Sequence, residues 1–171
     1  MSIAELPIGD QSPEVVNVVI EVPAGSKNKY EYDEELHVIK LDRVQFTAMA
    51  HPYDYGFIPE TRSEDGDHLD AFVMLDHSVF PGCLVAARPV GLIRLVDDGE
   101  QDEKIICVPA KDVRYDHITE MTQLSPHLPK ELQHFFEHLK DLQNKKAEVT
   151  GWGDAAEAKQ VIAEAQAVFA K

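Results

Sequence analysis

The sequence predicts an α+β protein: a small closed barrel of short antiparallel strands, with two helices at the C-terminal end packed against it. Three observations predict this. Short alternating or continuous apolar runs, separated by turn residues, fill the first two thirds. Helical spacing appears only in the last third. A length of 171 residues suffices for one domain with a proper core, so 1–171 is expected to be a single domain.

Residues 1–14 contain two prolines and little periodicity, and are expected to be an extended arm. From 16 to 22 the pattern alternates, with Val16, Val18, Ile20 and Val22 on one face and Asn17, Val19 and Glu21 on the other, as in a half-buried strand. Pro23-Ala24-Gly25-Ser26 is a turn, 29–33 a return strand and 36–44 another strand. Residues 45–64 read as a long irregular segment whose aromatics argue against disorder. Strands follow at 71–75, at 84–95 with a bend at Pro89 and Gly91, and at 104–108 after an acidic turn over 97–103. Pro129 suits the first turn of a helix whose stripe is Leu132, Phe135, Phe136, Leu139 and Leu142. Gly151-Trp152-Gly153 interrupts, with Trp152 expected to anchor an inter-helix turn in the core. Asp154 and Glu157 form a capping box for a second helix, with a stripe of Ala158, Val161, Ile162, Ala165, Val168 and Phe169.

Charge and cysteine content narrow the function. Sixteen Lys and Arg against 31 Asp and Glu give a net charge of -15, which argues against a nucleic-acid partner held on a basic face. An anionic substrate would have to arrive with, or meet, bound cations. No apolar stretch is long enough to span a membrane, and the N-terminus lacks the pattern of a secretory signal. Cys83 and Cys107 lie in apolar runs and suit buried, reduced thiols in a cytoplasmic protein.

The stretch richest in chemistry is Asp65-Gly66-Asp67-His68-Leu69-Asp70, with three carboxylates ahead of a buried strand. Carboxylates held together repel unless a cation sits among them, and oxygen ligands suit magnesium, manganese or calcium. An ordinary acidic turn is the bland alternative. If the strands between 71 and 95 are antiparallel neighbours, Asp97 and Asp102 converge on the same end as the first acidic turn. Single cations at Lys29, Arg43, Lys104 and Lys140 then suggest a pocket for a small anion, phosphate being the obvious one.

Further stretches join these: Val19-Ile20-Glu21-Val22-Pro23, Lys29-Tyr30-Glu31, Asp42-Arg43, Asp54-Tyr55-Gly56-Phe57-Ile58, Arg88-Pro89-Val90-Gly91 and His134-Phe135-Phe136-Glu137-His138 before Lys140-Asp141-Leu142. In this order and spacing, over about residues 15–170, the chain closely resembles the soluble inorganic pyrophosphatases of family I, bacterial type. The resemblance implies an OB-like barrel and a hydrolase of phosphate metabolism. Magnesium-pyrophosphate would be split to two phosphates by in-line attack of a water or hydroxide bridging two divalent ions.

By the same resemblance, Asp65, Asp70 and Asp102 hold the tight metal, Asp70 reaches a second, and Asp97 and Asp102 serve a third. Asp67 is placed to take the water's proton, and Glu21 and Glu31 lie at the edge of the metals. Lys29, Arg43, Tyr55, Lys104 and Lys140 contact phosphoryl oxygens or the waters around them. Several Mg2+ ions per site are implied, with Mn2+ or Zn2+ as substitutes and Ca2+ as an inhibitor. A cytoplasmic homohexamer, a dimer of trimers with His134 and His138 near the contact between trimers, is also implied.

Three positions depart from the family pattern. Leu139 stands where Tyr usually precedes the Lys, His51 where Tyr usually precedes Pro52, and His68 where Pro usually follows Asp67. Losing one hydrogen bond to a charged group costs about 1.5–3 kcal/mol, so activity is expected to be weakened and not abolished. His51 or His68 is expected to replace part of the lost donor capacity. Two other readings stay open: an acidic module that binds calcium or a protein without catalysis, and a degenerate pyrophosphatase kept for another role.

Overall fold

The structure, a computed structural model, describes residues 3–63 and 66–171. Its strands are β1 (Val16–Val22), β2 (Asn28–Asp33), β3 (Val38–Val44), β4 (Asp54–Ile58), β5 (Leu69–Val73), β6 (Leu84–Asp97), β7 (Glu100–Pro109) and β8 (Ala147–Gly153). Helix α1 (Leu128–Leu139) precedes β8, and α2 (Ala155–Phe169) follows it. The main sheet runs β1-β4-β5-β7-β6-β8, and pairing of β1 with β6 closes its first five strands into a ring. The β2–β3 hairpin is a separate two-stranded sheet.

The ring is not wholly antiparallel: β5 and β7 run parallel, with Asp70 level with Lys104. The long strand β6 does not pair with β5. It shifts register between Pro89 and Gly91, pairing with β1 before the shift and with β8 after it. Strand β7 therefore occupies the edge that β5 leaves free, and returns in the direction of β5.

Most ring strands are buried on both sides. One core cluster sets Val18, Ile20, Ala71, Leu92 and Ile105 against Ala158 and Ile162 of α2. A second sets Phe72, Ile93, Leu95 and Ile106 with Leu128 and Leu132 of α1. This is why Ile105-Ile106-Cys107-Val108 is continuously apolar. It also corrects the half-buried reading of β1, because Val19 is fully buried in a third cluster with Tyr32 of the hairpin and Phe57 of β4.

Two strands were not predicted. Strand β4 lies inside the segment read as irregular, and Gly56 explains both the strand and the difficulty of seeing it. A Cβ at Gly56 would lie 1.8 Å from the Val19 carbonyl oxygen, so β1 and β4 approach closely only because it is glycine. Strand β8 includes Gly151-Trp152-Gly153, so Trp152 pairs with Ile93 in the sheet instead of anchoring a turn. The acidic turn at 97–103 shrinks to Asp98-Gly99, which leaves Asp102 on β7. The arm contains a short helical turn at Ile3–Glu5 and buries Ile8.

The helices follow their predicted signals, apart from their ends. Asp154 Oδ1 accepts from the Glu157 backbone N–H and Glu157 Oε2 from that of Asp154, both at 2.9 Å. Leu142 falls beyond α1 and is exposed, as are Val168 and Phe169 at the end of α2. Cys107 is buried and Cys83 half-buried, both as free thiols. No helix among the described residues is long and apolar enough to cross a membrane.

Candidate active site

The site begins with strand register. On β7, Asp102 and Lys104 point to the same face, as alternate residues of a strand must. On the parallel neighbour, Asp70 is level with Lys104. The Lys104 ammonium consequently lies 2.5 Å from Asp70 Oδ2 and 2.8 Å from Asp102 Oδ2. Tyr55, on the other neighbour of β5, donates its hydroxyl to Asp70 Oδ2 at 2.5 Å. Lys104 is only 7% exposed. Burial alone would lower its pKa, but Asp70 and Asp102 hold the ammonium well above the ordinary lysine range. Burial, then the Asp70 charge, pushes the Tyr55 hydroxyl well above its usual pKa, so it is a donor.

Two further groups complete the ring side. Glu21 on β1 is 8% exposed and accepts the Tyr32 backbone N–H at 2.7 Å. Burial, then the Asp70 charge, raises its pKa to about 8. Lys140, at the C-terminal cap of α1, places its ammonium 2.5 Å from Asp97 Oδ2, while Asp97 Oδ1 is buried without a hydrogen-bond partner.

The hairpin supplies the opposite side. Lys29 and Arg43 are register partners across β2 and β3. Asp42, to which the sequence reading assigned no role, sits between them: 2.8 Å from Arg43 Nη1 and 3.5 Å from Lys29 Nζ. Its signal was the Asp42-Arg43 pair itself. A cleft of about 560 Å3 brings Glu21, Lys29, Glu31, Tyr55, Asp67 and Asp70 together. Asp102 and Lys104 meet it through Asp70. Arg43 and the Asp97–Lys140 pair do not line it. Asp65 lies outside the described residues.

Among the described residues, no three His, Cys, Asp or Glu side chains are already arranged around a metal position. The donor chemistry nevertheless fits hard divalent ions, because the candidates are all carboxylates and Asp97 keeps a buried oxygen unpartnered. Glu21 points the same way. A carboxyl whose charge is disfavoured by burial and by Asp70 is stabilised by a nearby cation.

The departures from the family pattern resolve differently from expectation. His51 is buried against the Tyr55 and Phe135 rings, with centroids 5.6 and 5.1 Å away. Burial pushes its pKa down to about 4, so it carries no charge at neutral pH, and it does not line the cleft. His68 sets one ring nitrogen 2.9 Å from the Thr61 carbonyl oxygen and the other 2.9 Å from Glu34 Oε1; burial, then Arg62, lowers its pKa, and the neutral ring donates to one of the two. His51 keeps a buried Nδ1 without a hydrogen-bond partner, whereas His68 is directed toward Thr61 and Glu34; Leu139 is buried at the end of α1. His134 and His138 lie on the exposed side of α1 with ring centroids 4.6 Å apart.

Comparison with known proteins agrees with this geometry. The family model described as inorganic pyrophosphatase matches residues 18–170. The inorganic pyrophosphatase of Thermus thermophilus is 47% identical over 173 residues, covering 99% of this chain and 97% of that protein. That of Synechocystis is 49% identical over 140 residues, covering 82% and 83%. The crystal structure of the Thermus thermophilus enzyme matches with a TM-score of 0.96 at 45% identity, covering 100% of both chains. The chain, with an OB-like barrel that sets Asp70 and Asp102 on either side of Lys104, belongs to the inorganic pyrophosphatase family.

Proposed function

We propose that this protein hydrolyses inorganic pyrophosphate to two phosphates with magnesium ions, and that 1–171 acts as one pyrophosphatase domain. The observation that carries the reading is a single cleft in which Glu21, Glu31, Asp67 and Asp70 face Lys29. Such a site repels a bare polyanion and accepts one that comes with divalent cations.

Asp65, Asp70 and Asp102 would hold the tightest ion, Asp70 a second, and Asp97 with Asp102 a third, with Glu21 and Glu31 at the edge. Bound ions neutralise phosphoryl oxygens and acidify the attacking water. The chain's own residues do the rest. Asp67 accepts the proton of the water that attacks phosphorus in line with the leaving phosphate. Arg43 offers a planar fork for two phosphoryl oxygens, and Lys29, Lys104 and Lys140 offer point charges. The Tyr55 hydroxyl, a donor across the physiological range, fixes Asp70. Mn2+ or Zn2+ would substitute for Mg2+, and Ca2+ would inhibit.

The reading includes a cytoplasmic homohexamer, a dimer of trimers with His134 and His138 near the contact between trimers. Exposed Leu36, Val38, Leu41, Val44, Phe46 and Phe80 support association, since such apolar groups favour burial in an interface. Sedimentation would return a monomer if this part were wrong.

Phosphate release from pyrophosphate with Mg2+, compared between wild type and Asp67→Asn, tests the activity. The substitution is expected to lower kcat by about 10²–10⁴-fold without a change in melting temperature. A wild type no faster than the variant would overturn the function.

A further inference from the structure

The β2–β3 hairpin carries Lys29, Glu31 and Arg43 but shares no strand pairing with the ring that carries Tyr55, Asp70, Asp102 and Lys104. Something must set its position relative to the acidic loop that carries Asp67. Tyr32, one residue before the end of β2 at the hairpin tip, contributes by stacking on Phe57 at 5.8 Å and donating its backbone N–H to Glu21. Glu34, in the turn just beyond β2, holds the same end of the hairpin to the loop.

Glu34 reaches both flanks of the acidic loop. Its Oε1 lies 2.9 Å from His68 Nε2, on the C-terminal flank. Arg62, on the N-terminal flank, grips both carboxylate oxygens, donating at 3.0 and 3.2 Å. The tip is itself set, since Asp33 Oδ1 accepts the backbone N–H groups of Glu35 and Leu36.

The loop side is equally fixed. The other ring nitrogen of His68 lies 2.9 Å from the Thr61 carbonyl oxygen; burial, then Arg62, lowers the His68 pKa, and the neutral ring donates to Glu34 in one tautomer and to Thr61 in the other. Thr61 Oγ1 accepts the Leu69 backbone N–H at 2.9 Å, and the Ser63 backbone N–H donates to the Asp67 carbonyl oxygen at 2.8 Å. The His68 imidazole stacks on Phe57 at 4.9 Å and 15°, and Phe57 in turn carries Tyr32. Arg62 is seated over the Phe169 ring at 5.3 Å and donates its backbone N–H to Ala165, both on α2. Glu34, His68 and Asp67 line the same cleft as Lys29 and Glu31.

We infer that Glu34, Arg62 and His68 form a clasp that fixes the phosphate-gripping hairpin relative to the loop bearing the proton acceptor, making His68 and Glu34 positioning residues for the reaction. This rests on the pyrophosphatase reading above. The physical reason is the steep dependence of reactivity on alignment, because a displacement of about 1 Å can cost on the order of 100-fold. Pro at position 68 has no ring nitrogen to offer Glu34, so the clasp belongs to this chain's departure from the family pattern.

Steady-state kinetics with magnesium-pyrophosphate on Glu34→Ala, His68→Phe, their double variant and Glu34→Gln test the inference. His68→Phe keeps a ring over Phe57 and removes only the nitrogens. Each of the first two is expected to lower kcat about tenfold with an unchanged melting temperature. The double variant is expected to be no slower than either single one, as for one shared contact. Glu34→Gln, which keeps an acceptor oxygen, should recover to within about threefold of wild type. Unchanged kcat in both single variants, multiplied losses in the double, or losses that follow a lowered melting temperature would overturn the clasp. An inactive wild type would instead overturn the function on which it rests.

Discussion

Lys104 and Lys29 present ammonium groups to the same site from walls of opposite character. Lys104 is 7% exposed, with carboxylates at 2.5 and 2.8 Å, on a strand paired on both edges. The Lys29 side chain is 29% exposed, with its carboxylate at 3.5 Å, on a hairpin paired only with itself. The ring wall holds charges already closely paired in a buried cluster. The hairpin wall holds charges that are more exposed, with Lys29 more loosely paired. One site thus combines a fixed, pre-paired half with an open half, and substitutions should divide along that line.

The strongest way to break the comparison is Lys104→Met. Removing the buried ammonium leaves Asp70 and Asp102 facing each other, and should cost about 3–5 kcal/mol in denaturant unfolding, with activity lost as well. Lys29→Met should leave stability unchanged. Equal effects of the two substitutions would erase the distinction.

Glu21→Gln sharpens it through pH. In the folded chain the Glu21 pKa is raised from 4.5 to about 8, by burial and then by Asp70. Between these values the folded protein keeps a proton that the unfolded chain has released, so stability falls as pH rises through the window and levels off above it. In EDTA, wild type should lose on the order of a few kcal/mol from pH 4.5 to 8, and Glu21→Gln should lose that slope. A variant with the wild-type slope would place the titration elsewhere.

On the open wall, Arg43→Lys keeps the charge but gives up the planar fork proposed to hold two phosphoryl oxygens. It should raise KM about tenfold with melting temperature unchanged. The smallest effect is expected from Leu139→Tyr, which restores a hydroxyl beside Lys140 and should raise kcat/KM by up to about tenfold. No gain would mean that the missing hydroxyl has no part in this enzyme.

Much of the site was legible in the chain because its chemistry is written in residue types. The cleft gathers six of the expected residues, Glu21, Lys29, Glu31, Tyr55, Asp67 and Asp70, while Arg43, Asp97 and Lys140 lie off it and Asp42 was not foreseen. The α2 cap was legible for the same local reason, since Asp154 and Glu157 satisfy each other within one turn. What escaped was non-local. Strand β4 was hidden by Gly56, whose reason lies in the Val19 carbonyl across the sheet. Strand β8 was hidden by glycines that read as a break until β6 lies beside them. His68 reads as a spare donor in the sequence, but the fold sets its two nitrogens against Glu34 and Thr61.

The sequence by itself determined the acidic balance, the candidate carboxylates and the capping of α2, because each depends on residue type or on neighbours a few positions away. Only the tertiary structure decided which cation meets which carboxylate. Lys104 meets Asp70 because β5 and β7 run parallel in one register. That register is held by side chains packed on both faces of the ring, against α2 on one and α1 on the other.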